Sequence, residues 1–266
     1  MRVVGHGFMA KHLARIAGDH PDALALAAGV SHPRNPPEAY DRERRLVEET
    51  VAGCLREDWK LVFFSSAAVY GGPGCRGREE DVADPPTSYG RHKVALERMI
   101  EESGVRHLNI RLAHVVGRHA PAHRLLPSLI RQVETGRVTV HRGTYRDLLH
   151  ADDAVTVIDA LLCAGIDHQV VNLASGRCVL IDRIVRHVER RLGRSAEWIY
   201  TDEGTRHCLS VDRLRSLLPP TVQLHYPPDY YEHVIDSYLA VVGRLEYTPA
   251  CPVGAVSVPA PRPAVC

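Results

Sequence analysis

Apolar residues in this chain recur in two rhythms. "RVV" near the N-terminus, "ALALAAGVS" (Ala23–Ser31), "KLVFFSS" (Lys60–Ser66), "HLNIRL" (His107–Leu112) and "QVVNLAS" (Gln169–Ser175) are apolar runs of strand length, as strands buried on both faces require. Between and after them come stretches with helical spacing. Phe8, His12, Leu13 and Ile16 follow the first run, "PEAYDRERRLVEETVAGCL" follows the second, and "PSLIRQVETG", "ADDAVTVIDALLCAG" and "LIDRIVRHVERRLG" lie further on. Strands alternating with helices predict an α/β fold with a mostly parallel sheet covered on both faces. From Gly243 the chain has five prolines and no helical period, so residues 1–242 read as a single globular unit and 243–266 as an irregular proline-rich tail.

Composition narrows the class. Of 266 residues, 45% are hydrophobic and 24% charged, with a formal net charge of +1; this is globular composition with no electrostatic call for nucleic acid or a membrane surface. Only three of the 33 basic Lys and Arg residues are lysines, Lys11, Lys60 and Lys93, a skew that GC-rich coding explains. Seven cysteines (Cys54, Cys75, Cys163, Cys178, Cys208, Cys251, Cys266) lack paired metal-ligand spacing, and no run reads as a secretory leader or membrane span. These features predict a reduced, cytoplasmic protein without a metal site.

Gly5, Gly7 and Ala10 form G-x-G-x-x-A between the first strand and the first helix. In that context the backbone can approach a pyrophosphate at a helix N-terminus, although a tight βα turn can also need glycine for its backbone alone. An acidic residue about twenty positions on, ending a second strand, would hold an adenosine ribose. The next apolar run instead ends in "GVSHPR", and Asp19 and Asp22 precede it.

Tyr89 and Lys93 stand four apart in a helix that Pro85, Pro86 and a capping Thr87 or Ser88 would start, so both side chains share one face. A neighbouring ammonium stabilises a phenolate and makes the phenol a better proton-transfer group near neutrality. Ser66, ending a buried strand, adds a hydroxyl suited to holding a substrate oxygen.

Over roughly residues 1–220 these motifs, in order, resemble the extended short-chain dehydrogenases/reductases of the NAD-dependent epimerase/dehydratase type. "GHGFMAKHL" resembles the cofactor loop, "LAAGVS" the strand beneath the nicotinamide ribose, "FFSSAAVYG" the serine strand, "YGRHK" the catalytic helix, "IRLAHVVG" the segment beside the nicotinamide, "HRLLPSLI" a substrate loop and "RDLLHADDAV" the phosphate-side motif. The resemblance implies a Rossmann-like core mainly over 1–112 plus the strand near 169–175, with a small substrate-binding portion near 113–150 and 177–242. It implies a catalytic Ser66, Tyr89 and Lys93. NAD or NADP would be held by Gly5, Gly7, Phe8, Met9, Ala28, Gly29, Ser65 and Lys93. Substrate contacts would fall to Ala67, His114, Arg124, Arg146 and Arg206, with Arg124 at a position often held by Asn and with Arg146 and Arg206 facing a diphosphate, for which a guanidinium fork is a good match. Lys11 or Arg34 would meet a 2′-phosphate.

The chain also departs from the family pattern. Only 61 positions separate Gly5 from Ser66, where the family has well over a hundred, and the shortening falls between Ala17 and Ala23. The second strand, its helix and the third strand are therefore expected to be missing, which truncates the sheet on the adenosine side and leaves the first strand at an edge. A second subunit, the loop through Asp19–Asp22 or the tail segment "GAVSV" would cover that edge. Ala67 and Ala68 stand where the 4,6-dehydratases carry an Asp-Glu pair, which disfavours dehydration. The resulting expectation is an NAD(P)-dependent ketoreductase of a nucleotide-linked keto-sugar or related ketone. A nucleotide-sugar epimerase and a non-catalytic binding or scaffold subunit are the alternatives, and a homodimer is possible.

Overall fold

The computed structural model describes residues 1–30, 35–71, 75–202, 204–245 and 256–257. In chain order, β1 (Arg2–Val4), α1 (Phe8–Leu13), β2 (Ala23–Leu26), α2 (Pro37–Glu57), β3 (Lys60–Ser66), α3 (Ser88–Glu102) and β4 (His107–Leu112) come first. Next are β5 (His114–Val116), α4 (Leu125–Glu134), β6 (Arg137–His141), β7 (Tyr145–His150), α5 (Ala151–Cys163) and β8 (Gln169–Leu173). The chain continues with β9 (Cys178–Leu180), α6 (Ile181–Leu192), β10 (Glu197–Thr201), β11 (Arg206–His207), α7 (Asp212–Leu217), β12 (Gln223–Leu224), α8 (Tyr230–Val241) and β13 (Val256–Ser257).

Five parallel strands in the order β1-β2-β3-β4-β8 make the main sheet, a Rossmann-like arrangement. Alternation along the strands divides their side chains between two layers. Leu24, Leu26, Leu61 and Phe63 pack with Val47, Val51 and Cys54 of α2 and with Leu96 and Ile100 of α3. Ala23, Ala25, Val62 and Phe64 turn the other way, into the large core that contains Leu13 of α1 and Val155 and Ile158 of α5. Arg111 of β4 is buried, and it is tolerated there because Nη2 donates to Glu97 at 2.7 Å and Nη1 to the Tyr70 hydroxyl at 2.9 Å.

Strand β1 pairs only with β2 and is the free edge of this sheet among the described residues. After α1 and a short 3-10 turn at Ala14–Ile16, the chain passes straight into β2. The connection is anchored by His20, whose Nε2 lies 2.7 Å from Asp159 of α5, and by the amino group of Met1, which donates to the Ala17 carbonyl. The tail strand β13 pairs antiparallel with β12 and so does not cover β1; the rest of "GAVSV" and Arg34 lie outside the described residues.

Sequence patterning misses most of the smaller sheets. β5, β7 and β11 pair in parallel with β9 antiparallel on β7, while β6 pairs with β10. Each of these strands is short, with no long apolar run to mark it. Because β9 and β11 both pair with β7, Cys178 and Cys208, separated by 30 positions, come within 5.4 Å at Cα and form a disulfide. This corrects the reading of seven unpaired thiols: spacing along the chain carries no information about a bridge that a third strand brings together.

Candidate active site

The C-terminal ends of β2, β3 and β4 open into a cleft of about 410 Å³, the position that open α/β sheets use for ligands. At the end of β3, Ser66 turns the chain, its Oγ accepting a hydrogen bond from the Ala68 amide at 3.2 Å, and Ala67–Val69 form a 3-10 turn. The Ser66 hydroxyl hydrogen remains free to donate. Helix α3 starts with Thr87 as its cap, Oγ1 accepting from the Gly90 amide at 3.1 Å. A Cβ on Gly90 would come within 2.2 Å of the Ala68 carbonyl oxygen, so only glycine lets the first turn of α3 press against the turn after β3, with Tyr89 and Ser66 lining one cleft. The helical spacing puts Lys93 one turn further in, its Nζ 5.9 Å from the Tyr89 ring centroid. Ser66, Tyr89 and Lys93 all line the cleft.

Lys93 is held on three sides. Its Nζ donates to Glu43 Oε1 at 2.7 Å and to the Phe64 carbonyl at 3.2 Å, and lies 5.0 Å over the Phe63 ring. Glu43, from α2, is bonded through its other oxygen to His92 Nε2 at 2.9 Å. Burial opposes its ionisation, but the hydrogen bonds and charges of His92 and Lys93 outweigh that and hold the carboxyl below its ordinary range. Neither Glu43 nor His92 follows from motif reading; fifty positions separate Glu43 from Lys93, and only α2 packing on α3 joins them.

The expected cofactor residues divide. Gly7, Phe8, Met9, Gly29 and Ser65 line the cleft, whereas Gly5 and Ala28 do not. Gly5 has φ +120°, and a Cβ there would approach the Ala27 carbonyl oxygen to 2.6 Å, so it permits the close crossing of the β1 and β2 ends. Gly7 opens towards space, with the nearest atom 3.8 Å from its would-be Cβ. Ser65 Oγ is buried with no partner, a hydroxyl awaiting one. These features fit the nicotinamide half of NAD(P). On the free side of β1 no strand among the described residues supplies an adenosine-ribose acid.

Ala67, His114 and Arg124 line the same cleft, joined by His207. Arg124 caps α4 and lies 5.6 Å over the Phe8 ring, its Nε buried without a partner. Arg146 donates through Nη1 to the Thr205 carbonyl and through Nη2 to Thr205 Oγ1, each at 2.8 Å, and its Nε is also orphaned. Burial lowers the Arg146 guanidinium to about 10. Arg206 is outside this cleft and lines a second cavity of about 550 Å³ together with Arg76, Thr205 and Cys208; His207 borders both. Among the described residues none of Arg124, Arg146 and Arg206 has a carboxylate partner. Buried or clustered guanidiniums without counterions mark a place for an anion.

The NAD-dependent epimerase/dehydratase family profile matches residues 9–174, and the chain belongs to that family. A relative is the dTDP-6-deoxy-L-talose 4-dehydrogenase (NAD(P)(+)) of Kitasatospora kifunensis, 27% identical over 192 residues, which covers 65% of this chain and 59% of that protein. The chain thus spans about three-fifths of the length of this curated relative. Among solved structures, a UDP-galactose 4-epimerase superposes with a TM-score of 0.75 at 20% identity, covering 92% of this chain and 99% of the other. RMD from Pseudomonas aeruginosa, complexed with NADPH, gives 0.72 at 19% identity over 90% and 98%. These superpositions show the Rossmann-like α/β fold of that family. No helix among the described residues is long and apolar enough to cross a membrane.

Proposed function

We propose that this protein is an NAD(P)-dependent ketoreductase of a nucleotide-linked keto-sugar, working through Ser66, Tyr89 and Lys93. The observation that carries this reading is one cleft lined by the Ser66 hydroxyl, the Tyr89 phenol and the Lys93 ammonium, together with Arg124, which has no carboxylate partner among the described residues. Gly7, Phe8, Met9, Gly29 and Ser65 would hold the nicotinamide half of NAD(P)H, which when bound would supply hydride to the ketone carbon. Ser66 donates a hydrogen bond to the ketone oxygen, Tyr89 transfers its phenolic proton to that oxygen as the alcohol forms, and Lys93 stabilises the phenolate left behind. Arg206, in the cavity that meets the cleft at His207, and Arg146, bonded to Thr205 of the same cavity, receive the diphosphate. The name of the Kitasatospora relative, a 4-dehydrogenase of a dTDP-linked sugar, points to a dTDP-linked 4-keto-sugar as the first substrate to try.

Reduction is preferred over epimerisation because an epimerase must keep its cofactor through two hydride transfers, while a reductase exchanges it each turnover. The bare edge of β1 suits exchange. A scaffold role is disfavoured by the buried Lys93 beside tyrosine, which a retired site has no physical need to keep. The pools of reduced cofactor and nucleotide sugar make the cytoplasm its working compartment. The test is consumption of NADPH or NADH with a panel of nucleotide-linked 4-keto-sugars: oxidation of reduced cofactor matched by alcohol formation supports the reading, and epimer formation without net cofactor oxidation overturns it.

A further inference from the structure

In the bare protein the ammonium of Lys93 has a close counterion. The side chains of Lys93 and Glu43 are 3% and 2% exposed, and 2.7 Å separates their charged atoms. The carboxylate cannot swing away. It rests against Gly29, where any Cβ would meet Oε1 at 2.2 Å, and its second oxygen is tied to His92, whose ring packs edge-on against Tyr40 at 4.8 Å. At this depth water screens little, so more distant groups sense a short dipole in place of a unit positive charge.

We propose that Glu43 is a positioning residue that aims Lys93 and cancels its charge, and thereby sets how the cleft discriminates between oxidised and reduced nicotinamide. The inference rests on the cofactor reading above. For hydride to reach the carbon whose oxygen Tyr89 protonates, the nicotinamide ring must lie beside Tyr89, and Lys93 Nζ is 5.9 Å from that phenol ring. The oxidised ring carries a positive charge that the reduced ring lacks. An uncompensated ammonium at this position would repel the oxidised form selectively; Glu43 removes that bias. A side chain that only supported the fold would change the affinity for both forms alike.

The experiment is calorimetric titration of the purified protein with NAD+ and NADH, and with NADP+ and NADPH. In Glu43→Gln, which keeps shape and loses charge, the ratio of oxidised to reduced Kd rises about tenfold, equivalent to a bound couple about 30 mV more positive. Lys93→Met, leaving the carboxylate with His92 alone, moves the ratio the other way. The double variant, which has no unpaired buried charge and so folds even where a single variant does not, returns to within about threefold of the wild-type ratio. Equal loss of both affinities in Glu43→Gln, or a double variant displaced by more than about tenfold, overturns the proposal while leaving the cofactor reading intact. Failure of the wild-type protein to bind either pair overturns both.

Discussion

The imidazoles of His114 and His207 lie stacked, their planes 13° from parallel and their centroids 6.1 Å apart, on the cleft wall that Arg146 approaches from β7. Burial, then the charge of Arg146, keeps His207 down at about 4, and the same two causes push His114 well below its ordinary value. Both rings are therefore neutral near pH 7. As pH falls from about 6.5 towards 4, the unfolded chain takes up protons that these folded rings refuse, so their contribution is intact above that window and lost across it. Thermal denaturation across this range is expected to show a stability loss that is shallower in His207→Gln. An identical pH slope in the variant would remove His207 from this role.

Tyr89→Phe and Lys93→Met are each expected to lower the chemical rate by at least about 10²-fold, but they separate in stability. Tyr89→Phe removes one hydroxyl and leaves the melting temperature nearly unchanged. Lys93→Met leaves the buried Glu43 carboxylate with His92 alone and costs about 3 kcal/mol. Near-normal single-turnover rates in either variant would defeat the assigned chemistry, and equal melting temperatures would show that the ion pair is not a structural keystone.

Because β1 is an edge strand and the adenosine side lacks its strands among the described residues, the cofactor is expected to be held weakly. Protein purified without added cofactor should carry little nucleotide absorbance. Stoichiometric bound NAD would contradict this and turn the reading towards the epimerase.

The disulfide between Cys178 and Cys208 closes a loop of 30 residues and tethers the segment that carries Arg206 and His207. Cys208→Ser is expected to cost about 3 kcal/mol and to weaken binding of a nucleoside diphosphate more than binding of NADH. Mass spectrometry of the alkylated native protein checks the bridge itself: labelling of Cys178 and Cys208 without reduction would rule it out.

By itself the sequence determined what is local. The helical spacing of Tyr89 and Lys93, the apolar strand that delivers Ser66, a helix start capped by Thr87 or Ser88 and the shortening between Ala17 and Ala23 depend on neighbours a few positions away, and the structure has each, with Thr87 as the cap. Tertiary structure alone decided which residues complete that site. Glu43 reaches Lys93 because α2 packs on α3; Gly90 matters because α3 presses on the turn at Ala68; His207 stacks on His114 because β11 and β5 both pair with β7. Cys178 finds Cys208 through the same strand. Periodicity records which face of an element is apolar, but it does not record which element that face meets, and burial, ion pairing and pKa are properties of the meeting.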